Sequence, residues 1–83
     1  MYKIEVKKSV VKTLKKIPRE DQIKIVQAIK YLSSNPYPTY SIKLADSPFY
    51  RIRCGDYRVI YDIKKDLLVI VVLKVGHRKD VYR

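Results

Sequence analysis

Residues 49–75, FYRIRCGDYRVIYDIKKDLLVIVVLKV, decide the fold. Apolar and polar residues alternate through most of this stretch, as in β-strands that bury one face. Gly55-Asp56 fits a two-residue hairpin turn with glycine at the first turn position, and residues 64–66 supply a second turn. The stretch therefore predicts three antiparallel strands over residues 49–54, 57–63 and 67–75. The last strand is apolar on both faces, so we expect it inside the sheet.

The residues before this stretch predict one more strand and two helices. Alternation over residues 2–6 indicates the strand. Ser9 can cap a short helix, and Pro18 interrupts that helix and suits the start of a second one over about residues 19–32. The order β-α-α-β-β-β predicts an α+β fold: two N-terminal helices on one face of a small, mostly antiparallel four-stranded sheet. We expect residues 1–83 to form a single domain.

The composition limits the classes of function. The chain has 83 residues and a net charge of +11, so it should attract polyanions, with nucleic acid first, although an acidic protein or a membrane surface would suit the same charge. Its single cysteine excludes an intramolecular disulfide. The N-terminal residues lack the apolar core of a signal peptide, and the apolar run 67–73 is too short to span a bilayer. We therefore expect a cytoplasmic protein that does not bind membranes.

Three arginines share one face of the predicted hairpin. The turn at Gly55-Asp56 places Arg53 opposite Arg58, and alternation adds Arg51 to the same face. Two arginines directly opposite each other are locally unfavourable, which favours an anion site such as one for phosphate. The alternative is an edge hairpin that is charged against aggregation. We call Arg51, Arg53 and Arg58 the arginine face.

The C-terminal residues 76–83 follow the central strand and should emerge beside the hairpin. They bring His77, the only histidine, towards one end of the arginine face. Histidine exchanges protons readily near neutral pH, which suits general acid–base catalysis. Tyr82 could stack on a base or hydrogen-bond a phosphate. The alternatives are a histidine without a role and a tyrosine that folds back on the core.

The run KLADSPFYRIRCGDYRVIYDIKKDLLVIVVLKVGHRKDVYR, residues 43–83, strongly resembles the C-terminal half of RelE-type mRNA interferases. The shared pattern is Y-R-I-R, a hairpin, Y-R-V-I-Y, an apolar strand and V-G-H-R-x-x-V-Y-R. The resemblance implies a type II toxin that cleaves mRNA in the ribosomal A site by attack of the RNA 2′-hydroxyl. It also implies that no metal or cofactor is needed and that a cognate RelB-like antitoxin neutralises the protein.

The resemblance implies a set of site residues by position. The catalytic set, with His77 added from the reasoning above, is Arg51, Arg53, Arg58, His77, Arg78 and Tyr82. We also predict an RNA-binding set, in which Lys74, Lys79 and Arg83 join the three arginines of the hairpin. Other members have lysine at the position of Arg53, where it has been suggested as a proton acceptor, and arginine cannot take that role.

The proton acceptor must then be another residue. We expect Lys74 to lie among the side chains of a largely buried strand and Lys79 to point into solvent. His77 and Tyr82 remain, and tyrosine acts more easily as a donor at neutral pH. The sequence thus predicts His77 as the general base or as part of a proton relay, with Arg78 steadying the phosphate.

Two other functions remain open. ParE-type toxins have the same fold but poison DNA gyrase and lack the nuclease residues. A non-catalytic RNA-binding module would explain the charge, although such modules usually present aromatic side chains on an exposed face. Ribosome-dependent cleavage, gyrase inhibition and binding without either effect distinguish the three.

Overall fold

The structure is a computed structural model, and it describes residues 1–77. The elements follow the predicted order, with one strand added: β1 (Lys3–Val6), α1 (Lys8–Lys15), α2 (Arg19–Leu32), β2 (Ile42–Lys43), β3 (Tyr50–Cys54), β4 (Tyr57–Lys64), a short 3-10 turn (Lys65–Leu67) and β5 (Val69–His77). The α+β class is confirmed. Ser9 does not cap α1, because that helix already begins at Lys8 and Lys7 occupies the capping position without a side-chain hydrogen bond.

The sheet has five strands in the order β1-β5-β4-β3-β2. β1 runs parallel to β5, and the other neighbours are antiparallel, so the sheet is mixed. The predicted number of four strands was wrong because β2 is only two residues long, too short for alternation to reveal. β5 begins at Val69 rather than at Leu67, since Leu67 ends the 3-10 turn and Leu68 has a left-handed φ of 54°.

The core lies between the helices and one face of the sheet. Alternate residues of the three central strands have no exposed surface, and they pack against buried residues of both helices. The sheet contributes Ile52, Val59, Tyr61, Ile70 and Val72, and the helices contribute Val10, Ile25, Ile29 and Leu32. Burial of these side chains drives the packing. The arginine face lies on the opposite side of the sheet.

A β-bulge interrupts β5. Ile60 pairs with Lys74, whereas the next residue, Tyr61, pairs with Val72, so Leu73 has no partner in β4. One extra residue reverses the alternation of every side chain that follows it. Val72 and Val75, three positions apart, consequently both point into the core.

Loop residues 35–41 are held to the sheet by a buried tyrosine. The Tyr61 hydroxyl donates a hydrogen bond of 2.8 Å to the carbonyl oxygen of Pro36. The Tyr61 ring stacks on Tyr50, which meets the Tyr37 ring edge-on. Burial raises the pKa of Tyr61 to about 12. Of the helices within residues 1–77, neither has the length and apolar character to cross a membrane.

Candidate functional site

The hairpin that carries the arginines has the predicted register. Cys54 pairs with Tyr57, Arg53 with Arg58 and Ile52 with Val59. Gly55 begins the turn with φ of 62°, a left-handed conformation that glycine adopts without steric cost. A two-residue turn fixes the pairing of both strands, so it determines which side chains share a face.

The three arginines lie on the sheet face away from the helices, but they differ in exposure. Arg51 is 6% exposed and Arg58 is 4% exposed, whereas Arg53 is exposed to solvent. Burial, together with the charge of Arg53, lowers the pKa of Arg51. Arginine nevertheless stays protonated in proteins at neutral pH. The face is therefore a site of fixed positive charge in which two of three guanidinium groups are partly desolvated.

Lys74 belongs to the same face. It pairs with Ile60, which pairs in turn with Arg51, so these three residues form one row across β5, β4 and β3. The adjacent row contains Gly76, Arg58 and Arg53. The expectation that Lys74 lies among buried side chains was wrong: it is exposed, because the bulge at Leu73 turns it outward.

His77 lies on the other face. It pairs with Tyr57, and the two rings meet edge-on with centroids 5.7 Å apart. Tyr57 packs against the core, on the side of the helices. The expected place of His77 at the end of the arginine face was therefore wrong, and the cause is again the bulge, which reverses the alternation of β5.

The remaining predicted site residues, Arg78, Lys79, Tyr82 and Arg83, lie outside the described residues. Their roles stay predictions. Within residues 1–77, no three His, Cys, Asp or Glu side chains come together as a metal site would require.

Helix α1 carries a second basic surface, which the sequence analysis did not single out. Lys8, Lys12 and Lys15 recur at helical spacing and are exposed, and the first turn of α1 contains no acidic residue. In the described part of the chain, the one ion pair is between Lys64 and Asp62, at 3.2 Å. The lysines of α1 are thus not neutralised by neighbouring carboxylates, and they extend the positive field of the protein.

A cleft of about 870 Å³ opens at the end of the sheet away from the hairpin turn, between the loop after α2 and the 3-10 turn. Its polar groups contact each other: the Lys65 ammonium lies 5.4 Å from the centre of the Tyr37 ring, and Lys43 Nζ donates to the carbonyl oxygen of Ser47. The cleft therefore competes poorly with the arginine face as a site for a polyanion.

The fold and the basic sheet face define a class, that of small basic α+β proteins. The family model described as "ParE toxin of type II toxin-antitoxin system, parDE" matches residues 4–82. The chain belongs to this family, and it is a toxin of a toxin–antitoxin system in the RelE/ParE superfamily.

Individual relatives carry RelE names. The RelE1 protein of Methanocaldococcus jannaschii is 31% identical in an alignment 86 positions long, which covers 99% of this chain and 96% of that protein. The RelE–RelB complex of Pyrococcus horikoshii OT3 contains a chain that is 34% identical, with a TM-score of 0.84 and coverage of 93% and 94%. The intact RelBE complex of E. coli, at 21% identity, has a TM-score of 0.80 over 93% and 96% of the two chains and shares the fold. The resemblance to RelE-type toxins is confirmed.

Proposed function

We propose that this toxin is a ribosome-dependent mRNA endoribonuclease that stops translation in the cytoplasm. The proposal rests on the arrangement of the basic side chains in two adjacent rows across β3, β4 and β5. Arg53 and Arg58 face each other, Arg51 and Lys74 flank them, and Arg51 and Arg58 are nearly buried. Folding places like charges together here at an electrostatic cost, which a bound phosphate would offset.

The proposed chemistry is attack of an RNA 2′-hydroxyl on the adjacent phosphate. The phosphate gains negative charge in the transition state, and fixed donors stabilise that charge more than they stabilise the substrate. Arg51 and Arg58 suit this role, because they are held by neighbouring strands in a region of low exposure. Arg53 and Lys74 reach into solvent and would bind the RNA backbone. Arg78 and Tyr82 are proposed to complete the site, with Lys79 and Arg83 binding RNA.

The proposed protein partner is a RelB-like antitoxin. The P. horikoshii and E. coli relatives were both crystallised with RelB. A chain of net charge +11 suits a partner with an acidic or amphipathic segment. Such a segment would cover the arginine face and exclude RNA from it.

The test uses purified toxin and ribosomes that translate a defined mRNA. Mapping of the fragment ends should show cuts within codons in the A site, with a 5′-hydroxyl on the downstream fragment. The Arg58→Ala protein should cut far less, and the Arg19→Ala protein, which loses an exposed arginine on α2 instead, should cut as the wild type does. Intact mRNA with wild-type toxin would refute the proposal.

A second candidate is inhibition of DNA gyrase, which the ParE description of the matching family model favours. A supercoiling assay with purified gyrase tests it directly. Inhibition of supercoiling together with intact mRNA would establish the gyrase function. Binding of RNA without either effect would instead indicate a non-catalytic RNA-binding module.

A further inference from the structure

The two rows of the arginine face contain one side chain that can give up a proton. The described residues of these rows are three arginines, Ile60, Gly76 and Lys74. Arginine holds its protons too tightly for proton transfer, whereas a lysine ammonium can donate one and recover it from water. The bulge at Leu73 is what brings this lysine to the arginines.

The position of Lys74 leaves its ammonium accessible. β1 covers β5 only as far as the Val6–Val72 pair, so no described strand flanks β5 on that side at Lys74. The side chain is exposed and makes no ion pair within residues 1–77. Neighbouring strands are spaced about 4.8 Å apart, so the backbones of Lys74 and Arg51 lie roughly 10 Å apart across β4. The two long side chains can therefore bind one phosphate from two sides.

We propose that Lys74 is a catalytic residue, the general acid that protonates the leaving 5′-oxygen; this inference rests on the proposed function. The 2′-oxygen forms a bond to phosphorus, and the bond from phosphorus to the 5′-oxygen breaks. The proton on Nζ of Lys74 passes to the 5′-oxygen, which leaves as a hydroxyl. The proton of the 2′-hydroxyl goes to water, and the neutral amine takes a proton back from water.

Two substitutions separate proton donation from charge. Lys74→Arg keeps the positive charge but cannot transfer a proton, and Lys74→Gln loses both. With normal RNA on the ribosome, both should cleave at least about a hundredfold more slowly than wild type, as expected when a general acid is lost. Lys74→Arg should still bind ribosomes and mRNA. Lys30→Arg and Lys30→Gln at the end of α2 are the matched controls and should cleave at the wild-type rate.

The decisive substrate carries sulfur in place of the scissile 5′-bridging oxygen. A thiolate leaves without needing a proton, so Lys74→Arg should cleave this mRNA at close to the wild-type rate. If the role of Lys74 were structural or purely electrostatic, Lys74→Arg would cleave the sulfur-containing mRNA as slowly, relative to wild type, as it cleaves normal mRNA. Wild-type speed of Lys74→Arg on normal RNA, or a defect that sulfur does not relieve, would overturn the assignment while leaving the nuclease function intact. Failure of the wild type to cut either substrate would refute the nuclease function itself.

Discussion

Arg53 and Arg58 pair directly across β3 and β4, yet Arg53 is exposed and Arg58 is 4% exposed. The two guanidinium groups of one cross-strand pair therefore occupy different environments. The partly desolvated group suits stabilisation of charge in a transition state, because an interaction between charges is stronger where water is excluded. The exposed group suits capture of the RNA backbone, which is sensitive to salt.

Arg58→Ala should reduce cleavage strongly. Loss of a single preorganised donor to a transition state costs about 3 kcal/mol, or roughly a hundredfold in rate. Arg53→Ala should instead weaken RNA binding and reduce its salt dependence. The measurements are single-turnover cleavage on ribosomes and binding at several salt concentrations, with circular dichroism to check folding. Full activity of folded Arg58→Ala would contradict the assignment.

His77→Gln tests whether the histidine takes part in the reaction. Its side chain lies against Tyr57 on the helix side of the sheet, away from the arginine face. We therefore expect a cleavage rate and a pH profile close to those of the wild type. A loss of about a hundredfold without loss of RNA binding would restore the histidine as general base.

An antitoxin that covers the basic surface should stabilise the toxin. A ligand that binds only the folded state raises its melting temperature, by an amount that grows with ligand concentration. Co-expression with the product of the neighbouring gene should therefore raise the melting temperature and abolish cleavage. Because the contact would join opposite charges, its affinity should fall as salt is added. Equal toxicity with and without that gene product would show that the pairing is wrong.

Tyr61→Phe should destabilise the fold through the loop after α2. The substitution removes the hydrogen bond to the Pro36 carbonyl, worth about 1 kcal/mol. Tyr40→Phe is the control, because Tyr40 is an exposed tyrosine of the same loop. Urea denaturation at neutral pH gives the free energy of unfolding of both variants. Equal stability of the two would show that the hydrogen bond contributes nothing.

The same tyrosine predicts a dependence on alkaline pH. Tyr61 has its pKa raised to about 12 by burial, whereas an unfolded tyrosine ionises near pH 10. Between these values the unfolded chain loses this proton first, so the free energy of unfolding falls as pH rises from about 10 to about 12. Tyr61→Phe should show a shallower fall than wild type over that range, and Tyr31→Phe, which changes an exposed tyrosine of α2, should not.

Gly55→Ala should destabilise the hairpin without a steric clash. An added Cβ would meet no atom within 4 Å, so the cost is that of holding alanine at φ of 62°, about 1 kcal/mol or more. Gly55→Asn should cost less, since asparagine tolerates this conformation. Thermal unfolding measures both, and a Gly55→Ala protein as stable as wild type would show that the turn relaxes.

The sequence predicted the hairpin well because its signals are local. Alternation and the Gly55-Asp56 turn together fix the register of Arg53 and Arg58, and the structure has that register. β2 was missed because a two-residue strand carries no periodicity. The positions of Lys74 and His77 were wrong because an all-apolar strand such as LLVIVVL hides a bulge. Leu73 resembles its neighbours, so only the pairing with β4 reveals that it is the extra residue.

The bulge at Leu73 makes one residue of β5 redundant for the pairing with β4. Deletion of Leu73 would restore strict alternation along β5 and leave Lys74 on the arginine face and His77 on the helix side, because each residue after the deletion keeps its partner in β4. A single-codon deletion would thus shorten the strand without exchanging any side chain between the two faces of the sheet. In a gene lineage, the strand could therefore change its length here and keep the chemistry of the basic surface.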